Sequence, residues 1–152
     1  MTMTANIAVE RVDHIGIRVK DAATAIKFYE VLGFKFTHKA DGDAVTIIRN
    51  PQGVEINLVH NSNDANGGKN ILMDVPVKYP GYTHIALRVS SIRDALAALA
   101  ANDIKVTQGP VKFGDDGGVS IFCRDPDRNV IELRGRDEDA DALGAKKYVS
   151  EN

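Results

Sequence analysis

The sequence predicts an α+β fold of two βαβββ modules whose sheets form a half-barrel cleft. Three observations carry this expectation. First, the segment His14-Ile15-Gly16-Ile17-Arg18-Val19 returns as His84-Ile85-Ala86-Leu87-Arg88-Val89. Second, each copy runs on into a stretch with apolar residues at helical spacing, then into three runs of strand character. Third, each copy closes on a proline turn and a strand, Asn50-Pro51-Gln52-Gly53-Val54-Glu55-Ile56-Asn57-Leu58 and Asp125-Pro126-Asp127-Arg128-Asn129-Val130-Ile131-Glu132-Leu133. In both, a polar residue, Asn57 or Glu132, stands six places after the proline. A duplicated unit with His on its first strand and a polar group on its last points to a metal site between the halves.

In the first module, His14, Gly16 and Arg18 alternate with Ile15, Ile17 and Val19, the period of a half-buried strand. Asp21 can cap a helix, because its carboxylate accepts from first-turn amides. Ala22, Ala25, Ile26, Tyr29 and Leu32 give that helix its apolar face, and Gly33 ends it. Strands follow over residues 34–38, 44–49 and 54–60, the last two joined by the Asn-Pro-Gln-Gly turn. The second module repeats this order. A strand at 82–89 leads to Ser90 or Ser91 as a cap, then to a helix carrying Ile92, Leu96 and Leu99. Strands are expected near 104–108, 119–124 and 130–134.

The 152 residues thus form one domain, with module one at about 11–61, a linker at 62–80, module two at about 81–135 and a tail at 136–152. The linker is long enough to be a functional loop or to let the halves dock between chains. The tail is expected as a short surface helix or as disorder. A net charge of −2 offers no basic footprint for nucleic acid. No apolar run approaches a membrane span. The opening residues have neither the charged n-region nor the apolar h-region of a signal peptide, so none is expected, and a single cysteine, Cys123, excludes an intrachain disulfide. A cytoplasmic location is the expectation. Cys123, in an apolar strand, reads as a small buried hydrophobe.

Parity decides which side chains can meet. His14 shares a face with Arg18, and His84 with Arg88. Glu55, Asn57, Val59 and Asn61 share a face opposite Val54, Ile56 and Leu58. Glu132 and Arg134 oppose Ile131 and Leu133. Each module therefore sets its polar groups away from its helix, and two such sheets facing each other would enclose a polar cleft.

These residues resemble the vicinal oxygen chelate superfamily, which includes glyoxalase I, type I extradiol dioxygenases, and fosfomycin- and bleomycin-resistance proteins. The resemblance runs from about residue 12 to 134. It is carried by His14 with Ala25-Ile26-Lys27-Phe28-Tyr29-Glu30-Val31-Leu32-Gly33-Phe34, by Thr83-His84-Ile85-Ala86-Leu87, and by the Asp125 to Leu133 motif. It implies a divalent metal (Fe, Mn, Ni or Zn) on His14, His84 and Glu132, with Asn57 at the fourth place, where glyoxalase I has Glu. Glu55 shares that face but lies about 6.6 Å along the strand, and needs a bulge to take the place of Asn57. His38 and His60 read as strand-end or surface residues.

Arg18 and Asn61 match places that hold the glutathione tail in glyoxalase I, and Gly109-Pro110-Val111-Lys112 resembles that family's flexible basic loop. Arg18, Asn57, Asn61 and Lys112 are therefore the expected substrate contacts. The resemblance also implies a homodimer. The expected function is a metal-dependent enzyme acting on a small substrate with vicinal oxygens by isomerase or lyase proton transfer, with Glu132 or Glu55 as the base. An Fe(II) extradiol-type dioxygenase and a metal-free ligand-sequestering protein are the alternatives.

Overall fold

Side-chain alternation along the strands organises the molecule. The computed structural model describes residues 5–114, 117–136 and 140–149. Module one consists of β1 (Ile15–Arg18), α1 (Ala22–Val31), β2 (Lys35–Lys39), β3 (Val45–Arg49) and β4 (Glu55–Val59). Its sheet has the order β1-β4-β3-β2, with β1 and β4 parallel and the other neighbours antiparallel. Module two consists of β5 (His84–Arg88), α2 (Ile92–Ala101), β6 (Val106–Lys112), β7 (Val119–Arg124) and β8 (Val130–Gly135), and a two-residue strand β9 (Lys146–Lys147) follows. Its sheet runs β5-β8-β7-β6-β9.

Local chemistry starts and stops the helices where the sequence places them. The Asp21 carboxylate accepts from the Thr24 amide at 2.9 Å, and the Ser91 hydroxyl accepts from the Asp94 amide at 3.1 Å. Gly33 takes φ +90 just after α1, a conformation that favours glycine.

Two segments differ from the sequence expectation. Gly109 to Lys112 is strand rather than flexible loop: it belongs to β6 and pairs with β7 across two register irregularities. The tail supplies β9, which lies parallel to β6, rather than a helix or disorder. Its anchor is tertiary: the Tyr148 amide donates to the Lys112 carbonyl at 2.8 Å, and the Tyr148 and Phe113 rings lie 4.9 Å apart. Residues 137–139 and 150–152 of the expected tail lie outside the described residues.

The two modules share one apolar core. Ile17, Val19, Tyr29, Phe34, Ile56 and Leu58 of module one cluster with Ile92, Leu99, Ile121, Cys123, Ile131 and Leu133 of module two. These are the helix-side residues of both sheets, so the modules meet through the faces that carry their helices. Burial pushes the Cys123 thiol up to about 11, as suits an inert core residue.

A buried polar latch crosses the same contact. The Tyr29 hydroxyl donates to Asp125 Oδ2 at 2.8 Å, while the amides of Asp127 and Asn129 donate to Asp125 Oδ1. Asn129 Nδ2 donates to the Arg18 carbonyl at 3.0 Å. Burial raises the Asp125 carboxyl, opposed by these hydrogen bonds.

The linker is pinned to the turn between β7 and β8. Asp74 pairs with Arg124 at 3.0 Å and with Arg128 at 2.8 Å. Among the described residues no helix is long and apolar enough to cross a membrane.

Candidate metal centre

In module two, β5 and β8 run parallel with Ala86 across from Glu132. This register sets the His84 ring diagonally beside the Glu132 carboxylate, and His84 Nε2 lies 3.1 Å from Glu132 Oε1. The other oxygen of Glu132 is held from β7, where the Ser120 hydroxyl donates to Oε2 at 2.7 Å. Arg134 Nη1 donates in turn to Ser120 Oγ at 2.9 Å and lies 4.0 Å from Glu132 Oε2. Ser120 is fully buried and Glu132 is 8% exposed. A carboxylate this far from water needs such donors, because an unpaired buried charge is costly. The Phe122 ring, 5.9 Å from the His84 ring, closes one side.

Module one carries the matching half. Gly16 lies across from Asn57, as Ala86 lies across from Glu132. Asn57 and Glu132 therefore occupy equivalent places, and the module-two residue equivalent to Glu55 is Val130. Asn57 Oδ1 is buried with no hydrogen-bond partner among the described residues, a state that an incoming donor or cation would relieve.

His14 Nδ1 lies 2.7 Å from Asp13 Oδ1 and 3.8 Å from Glu55 Oε2. Glu55 Oε1 accepts from Arg49 Nε at 2.7 Å and lies 2.7 Å from Arg49 Nη2. Asp13, His14 and Glu55 offer ligand atoms within 4.8 Å of one another. The Asp13 carboxyl is held below its ordinary range, chiefly by its hydrogen bond from His14.

The expected site residues thus fall into separate groups. His84 and Glu132 come together, and so do Arg18 and Asn61, whose Nε–Oδ1 distance is 3.0 Å. His14 does not join His84 and Glu132 within one chain: among the described residues the one three-membered group of candidate ligands is Asp13, His14 and Glu55. The physical reason is the back-to-back docking of the modules, which turns their polar faces outward. Cavities of about 670 and 650 Å3 are lined by neither histidine and not by Glu132.

Lys112 lies across from Val119, a core residue, while its neighbour Val111 lies across from Ser120. Lys112 therefore sits on the opposite face from Glu132, because β6 continues as strand through the expected loop. His60 bonds Thr46, with Nε2 and Oγ1 3.2 Å apart, on the face opposite Asn57, and His38 is exposed on β2.

Sequence reasoning missed Asp13, Ser120 and Arg49. Signals for all three were present. Asp13 and Thr83 precede the two repeated histidines, Ser120 is the polar interruption of an apolar run, and Arg49 and Glu55 flank a hairpin turn at cross-strand positions.

The donor set fits a divalent metal. Imidazole and carboxylate, the donor types found in both groups, are ligands of first-row divalent ions.

Comparison with known proteins agrees on the fold. Residues 11–133 match the family model described as the Glyoxalase/Bleomycin resistance protein/Dioxygenase superfamily. The chain is similar to virulence protein STM3117 of Salmonella typhimurium, with 31% identity over 132 residues, covering 82% of this chain and 83% of that protein. The crystal structure of that protein superposes with a TM-score of 0.61, covering 85% of this chain and 98% of that one. The glyoxalase domain-containing protein RDO1 of Mycosarcoma maydis is 32% identical over 130 residues, covering 84% of this chain and 69% of that protein. A glyoxalase/dioxygenase from Nostoc punctiforme shares the fold, with a TM-score of 0.66 at 19% identity, covering 89% of this chain and 100% of that one.

Proposed function

The chain belongs to the Glyoxalase/Bleomycin resistance protein/Dioxygenase superfamily, and from that premise we propose that it is a metal-dependent enzyme acting on a small substrate with vicinal oxygens. The observation that carries this reading is the His84–Glu132 pair at 3.1 Å, matched in the other module by His14 and by the unpartnered Asn57. His14, His84 and Glu132 would hold the ion. When bound, it supplies Lewis acidity to two neighbouring substrate oxygens.

The residues of the chain do the rest. Glu132 takes and returns the proton on the substrate carbon, and the chain of donors from Arg134 through Ser120 to Glu132 Oε2 fixes its orientation. Arg18, steadied by Asn61, binds an anionic or polar group of the substrate. Asn57 contributes a neutral contact beside the reacting oxygens. Glu55, occupied by Arg49, is the weaker candidate for the base.

A second copy of the chain completes the site, with module one of one protomer facing module two of the other. Val12 and Tyr82, each two residues before a cleft histidine, are large apolar side chains 73% and 99% exposed. Exposed apolar groups at both rims suit burial against a partner.

Metal analysis of protein purified without a His-tag tests the reading. Zinc or nickel at one ion per chain, with turnover of dicarbonyl thiohemiacetals, supports proton transfer. A chain that binds no divalent ion would overturn it. The neutral Asn57 favours one second reading, an Fe(II) dioxygenase on two His and one Glu. Oxygen uptake with a catechol would put that reaction in place of the first.

A further inference from the structure

We propose that Asp13 and Thr83, the residues just before the two cleft histidines, are positioning residues that decide which imidazole nitrogen each histidine offers to a metal. Asp13 presets His14, and Thr83 lets His84 switch. The proposal rests on the metal-centre reading above and extends it to residues outside the ligand set.

The two contacts are equivalent in the repeat but different in chemistry. Asp13 Oδ1 lies 2.7 Å from His14 Nδ1, and Thr83 Oγ1 lies 2.8 Å from His84 Nδ1. A carboxylate only accepts hydrogen bonds, whereas a hydroxyl accepts or donates. The proton of neutral His14 therefore sits on Nδ1, toward Asp13, and the lone pair is left on Nε2. Glu55 Oε2, 3.8 Å from the same Nδ1, adds negative charge on that side. His14 is ligand-ready before any ion arrives.

At His84 the carboxylate lies on the other nitrogen. Nε2 is 3.1 Å from Glu132 Oε1, so in the metal-free chain the ring proton sits on Nε2. Nδ1 then accepts from the Thr83 hydroxyl. A metal at Nε2 requires the proton to leave that nitrogen. The ring stays neutral if a proton is taken up on Nδ1 through solvent, and the Thr83 hydroxyl then rotates from donor to acceptor. A carboxylate in place of Thr83 could not donate to the metal-free ring, and a methyl group could serve neither state. Partners that hold the non-ligating nitrogen typically contribute roughly 10–100-fold in metal affinity.

Long-range proton–nitrogen correlation spectra of 15N-histidine-labelled protein, without metal and then with zinc, test this directly. In the metal-free wild type, His14 should carry its proton on Nδ1 and His84 on Nε2. Zinc should invert His84 and leave His14 as it was. Asp13→Ala should move the His14 proton largely to Nε2 and weaken zinc binding by roughly 10–100-fold. Asp13→Asn, whose side-chain carbonyl still accepts, should recover most of both. Thr83→Val should weaken zinc binding and Thr83→Ser restore it. A wild-type His14 protonated on Nε2 would overturn the proposal. So would an Asp13→Ala variant that loses zinc while its His14 proton stays on Nδ1, since Asp13 would then be a ligand. A wild type that binds no zinc sinks the metal reading alone, because the metal-free spectra still decide what Asp13 does.

Discussion

Asn57 and Glu132 occupy the same place in the two modules, each across a parallel strand pair from the residue two positions after a cleft histidine. One is a carboxylate held by Ser120 and His84, and the other an amide whose oxygen has no partner among the described residues. The asymmetry gives module two a charged group bonded at both oxygens and module one a neutral group with an unbonded oxygen.

Replacing Asn57 by Leu separates its two roles. Removing a buried acceptor that lacks a donor should leave the metal-free chain as stable or up to about 1 kcal/mol more stable. Substrate affinity should fall. Thermal unfolding with chelator and steady-state kinetics with metal read the two effects. A loss of several kcal/mol would mean that Asn57 is satisfied in solution.

Glu132→Gln should abolish turnover and weaken metal binding, since it removes the anionic ligand and the base together. Glu55→Gln should retain metal within a few-fold, because Arg49 already occupies the Oε1 of Glu55. If Glu55→Gln loses turnover while holding metal, Glu55 is the base. If both variants keep wild-type turnover, the acid–base mechanism is wrong.

Gly109→Ala should be among the most damaging single-methyl changes in module two. An added Cβ would meet the Ser120 carbonyl oxygen at 2.5 Å, and φ there is +96. A cost of about 2–4 kcal/mol is expected from the clash and the backbone strain together. Ser120 also donates to Glu132, so metal affinity should drop with stability. Urea unfolding and zinc competition on the same sample check both.

The linker should come free in acid. The Arg128 hydrogen bond, with the Asn70 amide and Arg124, holds the Asp74 carboxyl well below its ordinary value of 3.8. A depressed carboxylate stabilises the fold fully above that value and loses its contribution as pH falls toward the folded pKa. The protection of amides in residues 62–80 relative to their intrinsic exchange rates should therefore fall below about pH 4. Asp74→Asn should show the loosened linker already at pH 7, at a cost of about 1–2 kcal/mol given the exposure of Arg128.

Local rules carried most of the fold. Alternation along Ile15–Arg18 and Val130–Gly135 sorted core from polar face, and capping chemistry placed Asp21 and Ser91 at helix starts. The equal step from Pro51 to Asn57 and from Pro126 to Glu132 matched the strand registers. What the sequence could not disclose was non-local. Lys112 left the expected cleft because β6 pairs straight through Gly109 and Pro110, a choice made by β7 and β9. Above all, parity showed that each module has a polar face but not whether the two faces meet. That is settled by a shared core and by the Tyr29–Asp125 bond, neither of which leaves a periodic signal.

The back-to-back docking of the modules makes the chain genetically divisible. A protomer damaged at His14 keeps a sound second half, and one damaged at His84 keeps a sound first half. If partners exchange halves, an inactive His14→Ala chain mixed equally with an inactive His84→Ala chain rebuilds one intact centre in each mixed pair. About one quarter of wild-type activity should then return by random reassortment. Two variants of the same module should never rescue each other, so complementation between dead proteins would map which strand belongs to which partner.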